Sequence, residues 1–123
     1  MRKKDRIFTY AATAFIIYNS AGCPKTEDFA NSLLNTNNEF NQNLIKDIEA
    51  VNMALNNISK LARGQEMQDA VLKIYRYNLN NLGARIRRYA MESYNDVRTI
   101  YRWLSIAREE FAKCRGLDNT KMK

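Results

Sequence analysis

The ten residues ISKLARGQEM, positions 58 to 67, decide how the rest of this 123-residue chain is arranged. Gly64 stands alone between Gly22 and Gly83. Glycine readily takes the left-handed backbone conformation that ends a helix. On either side of it, apolar residues recur in steps of three and four, the period of one helix face. Upstream they are Phe29, Leu33, Phe40, Leu44, Ile48, Val51, Leu55, Ile58 and Ala62, with one gap bridged by Asn37. Downstream they are Met67, Val71, Ile74, Leu82, Ile86, Tyr89, Val97, Ile100, Leu104, Ala107 and Phe111. The expectation is two long helices, about 26–62 and 66–115, reversing at Arg63-Gly64-Gln65. Thr26 is the expected N-cap, with Pro24 before it and Glu27 and Asp28 in the first turn. Gly116 is the next stop signal.

Folding the chain back at Gly64 has a numerical consequence. Facing residues of an antiparallel pair have position numbers with a nearly constant sum. Ile58 with Val71, Leu55 with Ile74, Phe40 with Tyr89 and Phe29 with Ile100 all give 129. Leu44 with Ile86, Ile48 with Leu82 and Leu33 with Val97 give 130. Asn37 falls opposite Ser93, a polar layer that could set register. The fold class expected is all-α: an antiparallel two-helix hairpin with coiled-coil-like packing over 23–116, an apolar segment before it and a polar tail over 117–123.

Composition agrees. Four glycines and one proline leave few turn signals, and few turns imply long elements. The second helix outreaches the first, so Leu104, Ala107 and Phe111 overhang it. Their cover must be the N-terminal segment, a membrane surface or another chain. A bare two-helix hairpin also hides one side of each rod, which favours an oligomer with protein partners.

The N-terminal segment is read separately. MRKKDR, positions 1 to 6, is basic; IFTYAATAFIIY, positions 7 to 18, is mostly apolar; Ser20, Ala21 and Gly22 are small. This is the layout of a secretory signal peptide. As a helix the apolar run spans about 18 Å, short of the ~30 Å hydrocarbon layer. Ser20-Ala21-Gly22-Cys23 resembles the lipobox of bacterial lipoproteins, with Ser20 where a leucine-like residue is commonest. That resemblance implies cleavage before Cys23, lipid attachment at Cys23, and a membrane-anchored protein of the bacterial cell envelope. Loss of 1–22 would remove four cations and one anion and lower the net charge from +7 to +4. Other readings of 1–22 are a retained membrane-inserting segment, as in a phage virion or secretion-machine component, an organellar presequence, or a buried apolar helix.

Charge and chemistry set the remaining expectations. At 100° per residue, Lys73, Arg76, Arg87, Arg88, Arg98, Arg102 and Lys113 cluster opposite the apolar seam of the second helix, with Tyr77, Tyr94 and Trp103 on the flanks. Such a face suits phosphates, bases, anionic headgroups or an acidic neighbouring subunit. Glu109 and Asp69 interrupt it, and no nucleic-acid motif is present. Histidine is absent and the two cysteines are far apart, so no metal site or cofactor is expected. No Gly-rich phosphate loop or nucleophile elbow occurs. A Cys23–Cys114 bridge would need residues 23–26 to extend along the second helix. The functional expectation is a non-enzymatic structural or interaction subunit, tethered through Cys23. A virion or secretion part and a nucleic-acid-binding hairpin are the alternatives.

Overall fold

A computed structural model describes residues 3–33 and 37–117. The regular elements among the described residues are all α-helices: α1 Lys3–Ser20, α2 Thr26–Ser32, α3 Glu39–Ile58, α4 Gly64–Ile74, α5 Leu82–Glu92 and α6 Val97–Arg115. Positions 118–123, nearly all of the expected polar tail, lie outside the described residues, as do 1–2 and 34–36.

The reversal near Gly64 is present, but the straight second rod is not. Where one helix was expected over 66–115, three helices form a zigzag. α5 runs back along α4, which brings the Tyr89 hydroxyl to Asp69, 2.6 Å away. α6 then runs forward beside α4, so that Arg63 lies over Trp103 and Tyr75 meets Arg108.

The two breaks are built without glycine. After α4, the Asn78 side chain accepts from the Asn80 amide at 2.9 Å and Asn81 takes φ +60°. Arg85 reaches back to donate to the carbonyls of Asn78 and Asn80. After α5, Tyr94 takes φ +59°, and Asp96 caps α6 by accepting from the Arg98 amide at 2.7 Å. Asparagine, serine and aspartate offer the backbone nearby side-chain partners and so compete with helix. The clusters YNLNN (77–81) and SYND (93–96) carry this signal in the sequence.

Gly64 matters for a reason other than the one expected. The left-handed residue is Arg63, at φ +58°. Gly64 is buried at the start of α4, pressed against the end of α3. A Cβ there would collide with the Ile58 carbonyl oxygen and lie 2.6 Å from that of Ser59.

The first rod is also divided. α3 starts after Asn38, whose side chain accepts from the Asn41 amide at 3.2 Å. Thr26 opens α2 rather than capping it; Lys25 is the N-cap. Near the turn α3 and α4 are joined by the Gln68 side chain, which donates to the Leu55 carbonyl at 2.8 Å, a pairing offset from the expected rungs. Further out the expected ladder fails. Phe40 is 69% exposed beside α1, while Tyr89 is held by Asp69. α3 makes its largest contact with α6 instead. Once the chain zigzags, α6 returns to α3 with Ile100, Leu104, Ala107 and Phe111, all buried. That takes four apolar side chains fully out of water, whereas Tyr89 on α5 is only partly buried.

α1 closes the remaining side against α3, α4 and α6. Ala11, Ala12, Ala14 and Phe15 are buried, and the three alanines let its backbone approach closely. It ends at Gly22 and Cys23, both at positive φ, with the Cys23 amide bonded to the Tyr18 carbonyl at 2.9 Å.

Gly64→Ala is expected to destabilise the domain by about 1–3 kcal/mol, because the colliding atoms are backbone and cannot swing away. The midpoint of urea unfolding followed by helical circular dichroism measures it.

Candidate functional site

α1 seats on an aromatic cluster. Phe15 stacks on Tyr75 with ring centroids 5.7 Å apart and planes at 13°, and meets Phe111 at 6.0 Å. Tyr10 meets the same Phe111 ring at 6.1 Å. Arg108 lies 3.6 Å above the centre of the Phe8 ring and donates to the Tyr75 hydroxyl at 2.9 Å. The Asn19 amide donates to the carbonyls of Leu72 and Tyr75 at 2.9 and 3.0 Å, filling acceptors at the C-terminus of α4. Leu104, Ala107 and Phe111, expected to overhang, are therefore buried within the chain, with α1 over Phe111.

A polar clamp stands at the edge of this cluster. One carboxylate oxygen of Asp47 accepts from the Tyr10 hydroxyl at 2.8 Å and from Arg115 Nε at 2.7 Å. Arg115 also reaches Asn43 at 3.3 Å. The side chains of Arg115 and Asp47 keep 17% and 13% of their exposure, so the pair is poorly screened by water. It joins α1, α3 and α6 at one point. Beside it, α1 and α3 leave an open groove of about 400 Å³ lined by Thr9, Thr13, Ile17, Phe40 and Leu44.

Cys23 is exposed, and its Sγ lies 3.6 Å from the Asn19 side-chain oxygen. Cys114 is half-buried beside Asn57, and burial, then Glu110, pushes its thiol pKa up. Both are free thiols. No helix among the described residues is long and apolar enough to cross a membrane.

The basic residues do not share one rod. Lys73 and Arg88 sit in ion pairs with Asp69 at 3.5 Å and Glu92 at 3.2 Å, on the α4–α5 side. Arg76 stands in the α4–α5 connection and Lys113 near the end of α6, both exposed. Arg87, Arg98 and Arg102 are exposed on α5 and α6. Trp103, expected on the flank of the basic face, is 4% exposed and lies under the Arg63 guanidinium at 4.8 Å. Its place in the buried stripe with Ile100, Leu104 and Ala107 was readable from spacing. The clamp was not, because its three members come from helices 37 and 68 positions apart.

Among the described residues, no group of three or more acidic or cysteine side chains is placed to hold a metal ion. No family model matches this chain, and neither curated protein sequences nor solved structures give a significant match.

Asp47→Ala is expected to cost about 2–4 kcal/mol, since it strands Arg115 and Tyr10, with Asp47→Asn losing less. Thermal melts of both variants measure the difference. A second expectation concerns alkaline pH. Burial, more than any neighbour, raises the pKa of Tyr10, Tyr18, Tyr75 and Tyr89, and Asp47 and Asp69 add to it at Tyr10 and Tyr89. The folded chain holds these protons more tightly than the unfolded one. The stability they contribute is complete below about pH 10 and is lost as pH rises further. The urea midpoint should fall steeply above that pH, and less steeply in Tyr75→Phe.

Proposed function

We propose that this chain is a non-enzymatic interaction or structural subunit of a multi-chain assembly, and that α1 stays with the domain. Phe15 carries the reading. It is fully buried against Tyr75 and Phe111, and burial of such a side chain stabilises by about 1.5–3 kcal/mol. Loss of residues 1–22 would uncover those two rings, free the last carbonyls of α4 and take Tyr10 from the clamp. A domain of this kind fits a virion or secretion-machine part that keeps its apolar N-terminus. Its stiff element is the α3–α6 seam, in place of a two-helix hairpin. Phe40, exposed at the rim of the α1–α3 groove, is where a neighbouring subunit gains most by covering it.

One observation favours a second reading, a bacterial envelope protein tethered by lipid at Cys23. Cys23 is exposed directly after α1, where the backbone has already turned out of the helix.

The intact mass of the native protein separates the two. A mass that includes residues 3–22 supports retention. A mass beginning at Cys23 with added acyl chains overturns it in favour of the tether. Independently, a chain lacking residues 1–22 is expected to lose its cooperative unfolding transition; an unchanged melt would contradict the retained-helix reading.

A further inference from the structure

The outer edge of the α5–α6 pair is the part of the surface that the fold itself does not explain. Gly83, near the start of α5, lies beneath two side chains. A Cβ there would lie 3.4 Å from Arg87 Nη1 and 3.9 Å from the Tyr101 hydroxyl, so these two groups converge from different helices. Arg98 and Arg102 stand one turn apart on α6, on the helix face that also carries Tyr101. Arg98 is held by Asp96 at 3.3 Å, while Arg87 and Arg102 are exposed with no ion pair among the described residues. Met91 is 75% exposed and Tyr94 97%.

Tyr94 is the sharpest of these observations. Its φ of +59° is a conformation that glycine or asparagine adopts far more easily than an aromatic residue. The turn needs that conformation, but it does not need the ring, which packs on nothing. Strain retained at an exposed aromatic side chain points to use of the ring by a partner.

We propose that this edge binds single-stranded nucleic acid. Along the chain, exposed guanidinium groups alternate with exposed rings in the order Arg87, Tyr94, Arg98, Tyr101, Arg102. A single strand presents phosphates alternating with flat bases, and both of its components find a partner there. An anionic bilayer would instead call for a contiguous apolar face to insert, and among the described residues Met91 is the one large aliphatic side chain exposed on α5 and α6. An acidic peptide offers charge but nothing flat for Tyr94 and Tyr101. Exposed Glu109 bounds the edge further along α6, so the bound stretch is short. The chain's net charge of +7 adds attraction at a distance. This goes beyond the assembly reading and uses none of the residues that carry it, so either can fail alone.

The test is fluorescence anisotropy of the full chain with a labelled oligothymidylate of about 20 nucleotides. Binding is expected near 50 mM salt, with a log–log salt slope of about −2 for three arginines. Arg87→Gln with Arg102→Gln should weaken it about tenfold or more and flatten the slope, whereas Lys46→Gln with Lys60→Gln on α3 and beyond removes equal charge and should change it less than about twofold. Tyr94→Asn is the decisive variant. It should raise the melting temperature, by easing the backbone, and weaken binding about tenfold, by removing the ring; Tyr94→Phe should preserve binding. The proposal is overturned by absence of binding, by equal losses in the two charge variants, or by binding indifferent to Tyr94→Asn. Binding to phosphatidylglycerol vesicles without binding to the oligonucleotide also overturns it.

Discussion

The contact on which the rest depends is the ring of Phe15 against Tyr75, with Phe111 behind it. Helices α3, α4 and α6 bury their stripes against one another, but three rods leave an apolar trough on one side. α1 fills it. The alanines at 11, 12 and 14 bring its backbone down to the trough, and Phe15 occupies the depth they create. The same helix supplies polar closure at both ends of the trough, through Asn19 on the last carbonyls of α4 and Tyr10 on Asp47. Apolar filling and hydrogen-bond satisfaction come from one element, so neither can be removed without the other.

The chain turns without the usual residues. Cys23, Arg63, Asn81 and Tyr94 all take positive φ beside a helix end. Left-handed geometry costs a residue other than glycine roughly 1–2 kcal/mol, less for asparagine. At Arg63 the cost is offset locally: its guanidinium bonds Glu66 and Asn95 and lies over Trp103. At Asn81 the side chain tolerates the geometry. Tyr94 has no such compensation, which is why its ring draws attention to the surface it stands on.

Charge is distributed unevenly through this architecture. The Asp47–Arg115 pair is sheltered and works for the fold, while Lys73 and Arg88 are each answered by an acidic residue one turn away on their own helix, α4 and α5 respectively. Of the cations without an ion pair among the described residues, Arg87 and Arg102 stand on the α5–α6 edge, while Arg76, Lys113, Lys46 and Lys60 are exposed elsewhere. The apolar opening is elsewhere, between α1 and α3 around Phe40. The exposed apolar ring of Phe40 and the arginines of the α5–α6 edge thus stand on different helices.

The sequence by itself determined that the chain is all-helical, which residues line the apolar faces, and that it reverses beside Gly64. Periodicity is a local property, and nearly every stripe residue from Ile48 to Phe111 is buried or partly buried as spacing implied. Two turns are signalled locally by residues other than glycine and proline: the asparagine cluster at 77–81 and SYND at 93–96. Spacing in the apolar run 7–18 could likewise show Ala11, Phe15 and Tyr18 on one face. It could not show what that face meets. Only the tertiary structure decided that α6 returns to α3, that α1 covers Phe111, and that Tyr10, Asp47 and Arg115 converge. Those pairings depend on which combination of stripes buries the most surface once the rods are short enough to be rearranged. That is a property of all the helices together, and no window of the sequence contains it.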